Sequence, residues 1–222
     1  MKGLLIIPGM VKEAREIILY FATLMRHGLI PNLIDPPRYN SRDATMWYIK
    51  AIKDYIEETQ DWDILKVKVE MRFLSSSREK HDDLTKKNMI REQTLVDVLQ
   101  EILERHANGI KFIEWDHKQI DEHMTYEGHN IDLWPDWTTG FVLGGNKYNC
   151  LTWMDKMGSS EKSGNKGIPA SSRDGAPIDM TALLYLAVNF MKTLYDLEYS
   201  PHNQVEILQK KKTITYAHWV TT

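Results

Sequence analysis

A mainly α fold follows from three features of the sequence. Apolar residues recur at steps of three and four in four separate stretches, the connections between them are long and rich in aromatic residues, and the β-prone pieces are short. The first helix is expected from Val11 to Met25, with Val11, Ala14, Ile18, Phe21 and Met25 as its stripe and Lys12, Glu13, Arg15 and Glu16 facing away. Gly28 is expected to stop it. The second begins about Ser41, capped by Asn40 or Ser41, and carries Ala44, Tyr48, Ala51, Ile52 and Tyr55 on one face with Lys50, Lys53, Asp54 and Glu57 opposite.

The polar run SSSREKHDD, Ser75 to Asp83, reads as an exposed loop. Leu95, Val98, Leu99, Ile102, Leu103 and His106 then make the clearest helical stripe, which Gly109 ends. From Ile110 to Tyr148 the periodicity fails, and a long irregular excursion holding the β-prone pieces IKFIEW and GFVLGG is expected. A last helix follows Pro177, with Met180, Leu184, Ala187, Met191 and Leu194 in register and Asp179 near its positive end. Beyond Ser200, LQKKKTITYAHW reads as a turn and a short strand. No period of about 20 to 50 residues repeats, which argues against a repeat array. Loops this long in a compact domain are usually functional.

At 222 residues and 42% hydrophobic, the chain suits one domain with a real core. A net charge of -3, from 28 basic and 31 acidic residues, gives no reason to expect a nucleic-acid partner. The single cysteine, Cys150, excludes an intrachain disulfide and suits a reducing compartment, so a cytoplasmic location is expected. At the amino end Pro8 interrupts a short apolar run and KEAREI follows without a small-residue cleavage pattern, so no secretory leader is expected. The next apolar run, IILYFA, is far short of the roughly 20 residues that span a bilayer, and no membrane partner is expected.

Two stretches combine residue types that suit a sugar. In NSRDATMWYI, Asp43 and Trp47 lie four apart on one side of a helix, with Arg42 beside them. A carboxylate and a guanidinium can fork to hydroxyls while an indole covers the C–H face of a pyranose. The same residues also fit a capped surface helix with a buried Trp. In YNCLTWMDKMGSSEKSGNKGIP, Asp155 follows Trp153, stands between Met154 and Met157, and precedes several glycines that let backbone approach a ligand. Apolar surroundings raise a carboxyl pKa, as a general acid near neutrality requires, although Lys156 acts in the opposite sense. An N-cap aspartate is the plainer reading of Asp155. In GIPASSRDGAPID, Arg173 and Asp179 fit either a ligand contact or an ion pair bracing the Asp155 loop.

Other motifs carry less. GFVLGGNK has Asn146 where a phosphate-binding loop needs lysine, and reads as a turn. His117, His123 and His129 recur every six residues, a spacing that a helix does not bring to one face and that a strand leaves about 20 Å apart, so no metal is expected. No serine occupies a G-x-S-x-G elbow.

Taken together, HGLIPN (His27 to Asn32), RYNSRDATMWYI (Arg38 to Ile49), GFVLGGNKYNCLTWMDKMG (Gly140 to Gly158) and GNKGIPASSRDGAPID (Gly164 to Asp179) resemble the glycogen debranching enzymes. The resemblance is to their carboxyl-terminal amylo-1,6-glucosidase domain and runs from about Gly3 to Trp219. It implies an (α/α)6 toroid of the six-hairpin glycosidase type, with the active site at one mouth. It also implies hydrolysis of the single α-1,6-linked glucose left at a trimmed glycogen branch, with inversion, by two acidic residues and no cofactor. The general acid of the TWMDKMG block falls on Asp155. Asp43, Trp47, Trp153 and Arg173 would line the glucose pocket, with Arg42, Asn32 and Asp179 as further members; Asp179 stands where relatives usually carry glutamate.

The family's Gly-Arg-Asp-Thr block is missing before GLLI, and the sequence stops after about half of the toroid's helices. Residues 1–222 are therefore expected to form a partial glucosidase domain, an incomplete toroid whose general base lies elsewhere. Its expected partners are glycogen or limit dextrin and the remaining parts of a debranching enzyme, which would cover otherwise exposed helix faces. A catalytically silent glycogen-binding fragment and a helical interaction module are the alternatives.

Overall fold

The computed structural model describes residues 2–35, 37–72, 90–114, 123–153, 156–172 and 174–222, and within them the protein is mainly helical with short antiparallel strands. Helix α1 is Val11–Thr23; Ala14, Ile18 and Ala22 are its buried line, and Met25 continues it past the helix end. The helix stops at Thr23, short of Gly28. That glycine instead shapes the tight Arg26–Leu29 turn, at φ 86°, where a Cβ would lie 2.4 Å from Cβ of Arg105. Left-handed backbone and close approach together demand glycine there.

Strands β1 (Leu33–Ile34) and β2 (Pro37–Arg38) form a small hairpin that feeds α2, Asp43–Thr59. The helix starts later than its pattern suggests, with Arg42 in the N-cap position and no side chain capping it. Its buried stripe is wider than expected: Met46, Ile49 and Ile56 join Tyr48, Ile52 and Tyr55, whereas Ala44 and Ala51 are only half-buried. Burial of each such aliphatic side chain contributes about 1.5–3 kcal/mol. Lys50 and Lys53 pair with Asp54 and Glu57 at 2.6 and 2.5 Å, one turn further along the same helix.

Strand β3 (Lys68–Arg72) pairs with β4 (Ile90–Thr94), and the loop expected at Ser75 to Asp83 lies outside the described residues. Helix α3, Leu95–Asn108, buries the whole expected stripe and ends at Gly109. A reciprocal capping box starts it: Thr94 Oγ1 accepts from the Asp97 N–H, and the Asp97 carboxylate accepts from the Thr94 N–H, both at 3.3 Å.

The described residues of the expected irregular excursion hold a regular sheet. Strands β5 (Ile110–Ile113), β6 (Asn130–Pro135) and β7 (Val142–Gly144) form an antiparallel sheet in that order, with Ile110 opposite Leu133 and Leu133 opposite Gly144. Strands of three to six residues are too short to register as a period in sequence. Helix α4, Ile178–Asp196, buries Met180, Leu184, Ala187, Met191 and Leu194 as expected and packs chiefly on α2.

Past Ser200 a full hairpin replaces the single expected strand: β8 (Gln204–Ile207) pairs with β9 (Lys212–Thr215), and a helical turn, α5 (Tyr216–Trp219), follows. Asn108 Nδ2 and Gln100 Nε2 hold β8 against α3 through the carbonyls of Glu206 and Gln204. One apolar core runs through these elements. Among the described residues no helix is long and apolar enough to cross a membrane.

Candidate functional site at the start of helix α2

Asp43 opens α2 with its residue surface only 1% exposed, and three donors converge on its carboxylate. The Ser41 hydroxyl donates to Oδ1 at 2.6 Å, and the Trp47 indole N–H donates to Oδ2 at 3.2 Å. The backbone N–H of Trp153 donates to the same Oδ2 at 3.1 Å, across 110 residues of chain. A carboxylate has about four acceptor sites, so one is left for a ligand hydroxyl. The positive end of α2 further favours the charge.

The two indoles bonded to this carboxylate, one by its ring and one by its backbone, lie at the surface: Trp47 is 46% and Trp153 66% exposed. That excludes a Trp buried beneath a capped helix, and leaves two flat apolar faces beside a sunken acceptor. This is the arrangement a pyranose ring requires, with C–H faces against indole and an edge hydroxyl on the carboxylate.

Arg42 is placed behind the pocket. It is fully buried, and its guanidinium donates to the carbonyls of Asn40 (3.1 Å), Cys150 (2.9 Å) and Asn130 (2.8 Å), with Asp132 Oδ1 at 3.7 Å. Its backbone N–H donates to the Leu151 carbonyl at 2.9 Å. No edge of this side chain is open to a ligand. Burial lowers its pKa to about 10, leaving it charged at neutral pH. Asn40 Oδ1, Arg42 Nε and Thr152 Oγ1 are buried here without a hydrogen-bond partner among the described residues, each at a cost of about 1–3 kcal/mol. Such groups gather where function rather than stability shapes a site.

The remaining expected residues are described unequally by the structure. Asp155 and Arg173 lie outside the described residues. The flanks of Arg173 are tied down: the Leu151 N–H donates to the Ser172 carbonyl at 3.4 Å, and Gly175 exchanges two 2.9 Å backbone bonds with Gly144. Asn32 is exposed at the base of the β1–β2 hairpin, where its N–H donates to the Arg38 carbonyl, and its side chain has no hydrogen bond among the described residues. Its segment is nevertheless anchored to α2, because the Ile30 N–H donates to Thr45 Oγ1 at 2.8 Å. Asp179 is half-buried in the first turn of α4.

The glycines after position 155 serve the loop itself. The Gly158 N–H donates to the Ile168 carbonyl and the Gly167 N–H donates to the Gly158 carbonyl, both at 2.9 Å, and a Cβ on Gly158 would meet the Asn165 carbonyl oxygen at 2.0 Å. The expectation that they admit a ligand to the backbone is replaced by closure of a hairpin-like loop.

Sequence reasoning missed a second buried carboxylate. Glu114, 2% exposed, accepts both forks of Arg38 at 3.2 and 3.3 Å and the Tyr39 N–H at 2.7 Å, with His129 Nδ1 at 3.8 Å. It anchors the segment leading to Asp43 onto the end of β5. The available signal was alternation: Ile110, Phe112 and Glu114 share a face, so an acid stands at an inward position. An open cleft of about 790 Å³ along α3 and β8, lined by Glu92, Asp97, Glu101, Arg105 and His202 among others, includes none of Asp43, Trp47 and Trp153 and no Trp, Tyr or Phe.

Residues 1–221 match the family model described as amylo-alpha-1,6-glucosidase. The chain is 41% identical to the glycogen debranching enzyme of Saccharomyces cerevisiae over 99% of its own length, and spans 14% of that protein. With a match along nearly the whole sequence, and a buried carboxylate between two exposed indoles within it, the chain belongs to the amylo-alpha-1,6-glucosidase family of glycogen debranching enzymes.

Proposed function

We propose that this site binds the single α-1,6-linked glucose of a limit dextrin and that Asp155 protonates its glycosidic oxygen. Residues 1–222 then form part of a glucosidase domain of the (α/α)6 toroid type, acting on glycogen in the cytoplasm. The observation that supports this most is the junction of Asp43, Trp47 and Trp153. Two residues of chain span at most about 7 Å, so an acid at position 155 stays close to the Trp153 backbone that Asp43 holds.

In this reading the two indoles cover the sugar and Asp43 accepts a hydroxyl. Arg173 forks to another hydroxyl, while Asn32 and Asp179 contact the outer part of the substrate. A proton passes from Asp155 to the leaving oxygen as the C–O bond breaks. A water then attacks the anomeric carbon from the opposite face and gives its proton to a second carboxylate about 6.5–9.5 Å away, which inverts the configuration.

A second reading is glycogen binding without hydrolysis, supported by the same exposed indoles of Trp47 and Trp153 beside Asp43. Incubating the purified chain with a limit dextrin bearing single-glucose branches separates the two. With the remaining parts of the enzyme present to supply the second carboxylate, release of free glucose, reduced at least about a hundredfold in Asp155→Asn, is the expected result. Equal release by both proteins removes Asp155 as the acid, and retention of dextrin without release selects the binding reading.

A further inference from the structure

We infer that Arg42 is a positioning residue, a buried clamp that sets the start of α2 against the Trp153 loop and so keeps Asp43 within reach of its donors. The inference rests on the Asp43 site described above but requires no sugar. Three chain segments that approach one another only in the folded protein meet at this one guanidinium: residue 40 before α2, residue 130 at the start of β6, and residue 150 ahead of Trp153. The backbone of Arg42 adds a fourth tie, to Leu151.

Asn130 shares its carbonyl with Asn149 Nδ2 at 2.8 Å, and Asp132 shares its Oδ1 with the Gly145 N–H at 3.1 Å. The turn before Cys150 is therefore gripped from the sheet side as well as from Arg42. Three residues beyond Cys150 along one stretch of chain, and one residue beyond Arg42 along the other, the Trp153 N–H meets Asp43. The distance between acid and loop thus depends on the width of one planar cation.

Arginine suits this task and lysine does not. A guanidinium presents five N–H groups in a fixed fork and can serve carbonyls on different sides, whereas an ammonium directs three donors from one nitrogen. Replacement by lysine leaves a buried charge with carbonyls it cannot span, so the segments separate and the Asp43 bonds loosen first.

The test uses the chain labelled with 15N-tryptophan. The backbone N–H of Trp153 and the indole N–H of Trp47 report on Asp43 Oδ2 directly. Trp62, stacked on Tyr199 with ring centroids at 4.2 Å, and Trp219, 5.1 Å from Trp137, are internal controls. In Arg42→Lys, exchange of the Trp153 amide is expected to accelerate about tenfold or more and the Trp47 indole resonance to move, with the Trp62 and Trp219 signals unchanged. Unchanged Trp153 exchange and an unchanged Trp47 resonance in the folded variant overturn the inference.

If Arg42→Lys loses the control signals as well, Arg42→Gln decides, because a neutral amide buries no charge and donates from one nitrogen only, too few donors for the three carbonyls. Faster Trp153 exchange with the control signals unchanged then supports the clamp, and unchanged exchange refutes it. The readout is independent of turnover, so failure of the glucosidase reading leaves this result intact.

Discussion

Asp43 and Glu114 are both buried carboxylates, but different chemistry keeps each in place. Asp43 is surrounded by neutral donors and retains capacity for a ligand, whereas Glu114 is bound to the Arg38 guanidinium. Burial alone pushes the Glu114 carboxyl up; His129, the Arg38 charge and the Tyr39 N–H outweigh it and hold the group below its ordinary 4.5. Because the folded value is the lower one, its stabilisation is complete above pH 4.5 and is lost as the pH falls through that lower value. Glu114→Gln leaves Arg38 buried without a counter-charge and should cost about 3–5 kcal/mol in urea unfolding at pH 7. It should also flatten the acid limb below pH 4.5, whereas a variant as stable as wild type would show the pair to be dispensable.

Helix α3 illustrates what a stripe reveals and what it hides. Its apolar positions were legible because each lies within a turn of the next, and His106 was legible as a member of the buried face. Its protonation was not. The ring is buried on the core side with Nδ1 at 2.7 Å from the Ile102 carbonyl, and burial drives its pKa down to about 4 from the ordinary 6.5, the Ile102 bond opposing only in part. An unfolded chain takes up that proton first as the pH falls, so the contribution is complete above pH 6.5 and is lost towards pH 4. The loss is about 3 kcal/mol. His106→Leu should remove this slope between pH 6.5 and 4 in urea midpoints, and a slope identical to wild type would place the titration elsewhere. The Thr94–Asp97 box, the β5–β6–β7 sheet and the β8–β9 hairpin went unread because caps and short strands offer no period to count.

For the whole molecule, one core joins α1 to α5, and α2 is its hub, packed on α1, α4 and the amino-terminal turn. Ile52, fully buried on α2, should cost about 2–5 kcal/mol when replaced by alanine. That is a large part of a typical domain's about 5–15 kcal/mol, so loss at the hub should reach every element. Fluorescence of Trp153 beside the site and near-ultraviolet circular dichroism of the Trp137–Trp219 pair should then shift together in Ile52→Ala; separate transitions would divide the core in two. The sequence by itself determined the four long helices, the common side of Asp43 and Trp47, and the family, since these depend on spacings within a turn or on contiguous motifs. Only the tertiary structure decided that Arg42 faces carbonyls instead of substrate and that Trp153 reaches Asp43. Periodicity encodes neighbours along one helix, whereas bonds across more than 100 residues depend on where the intervening backbone runs.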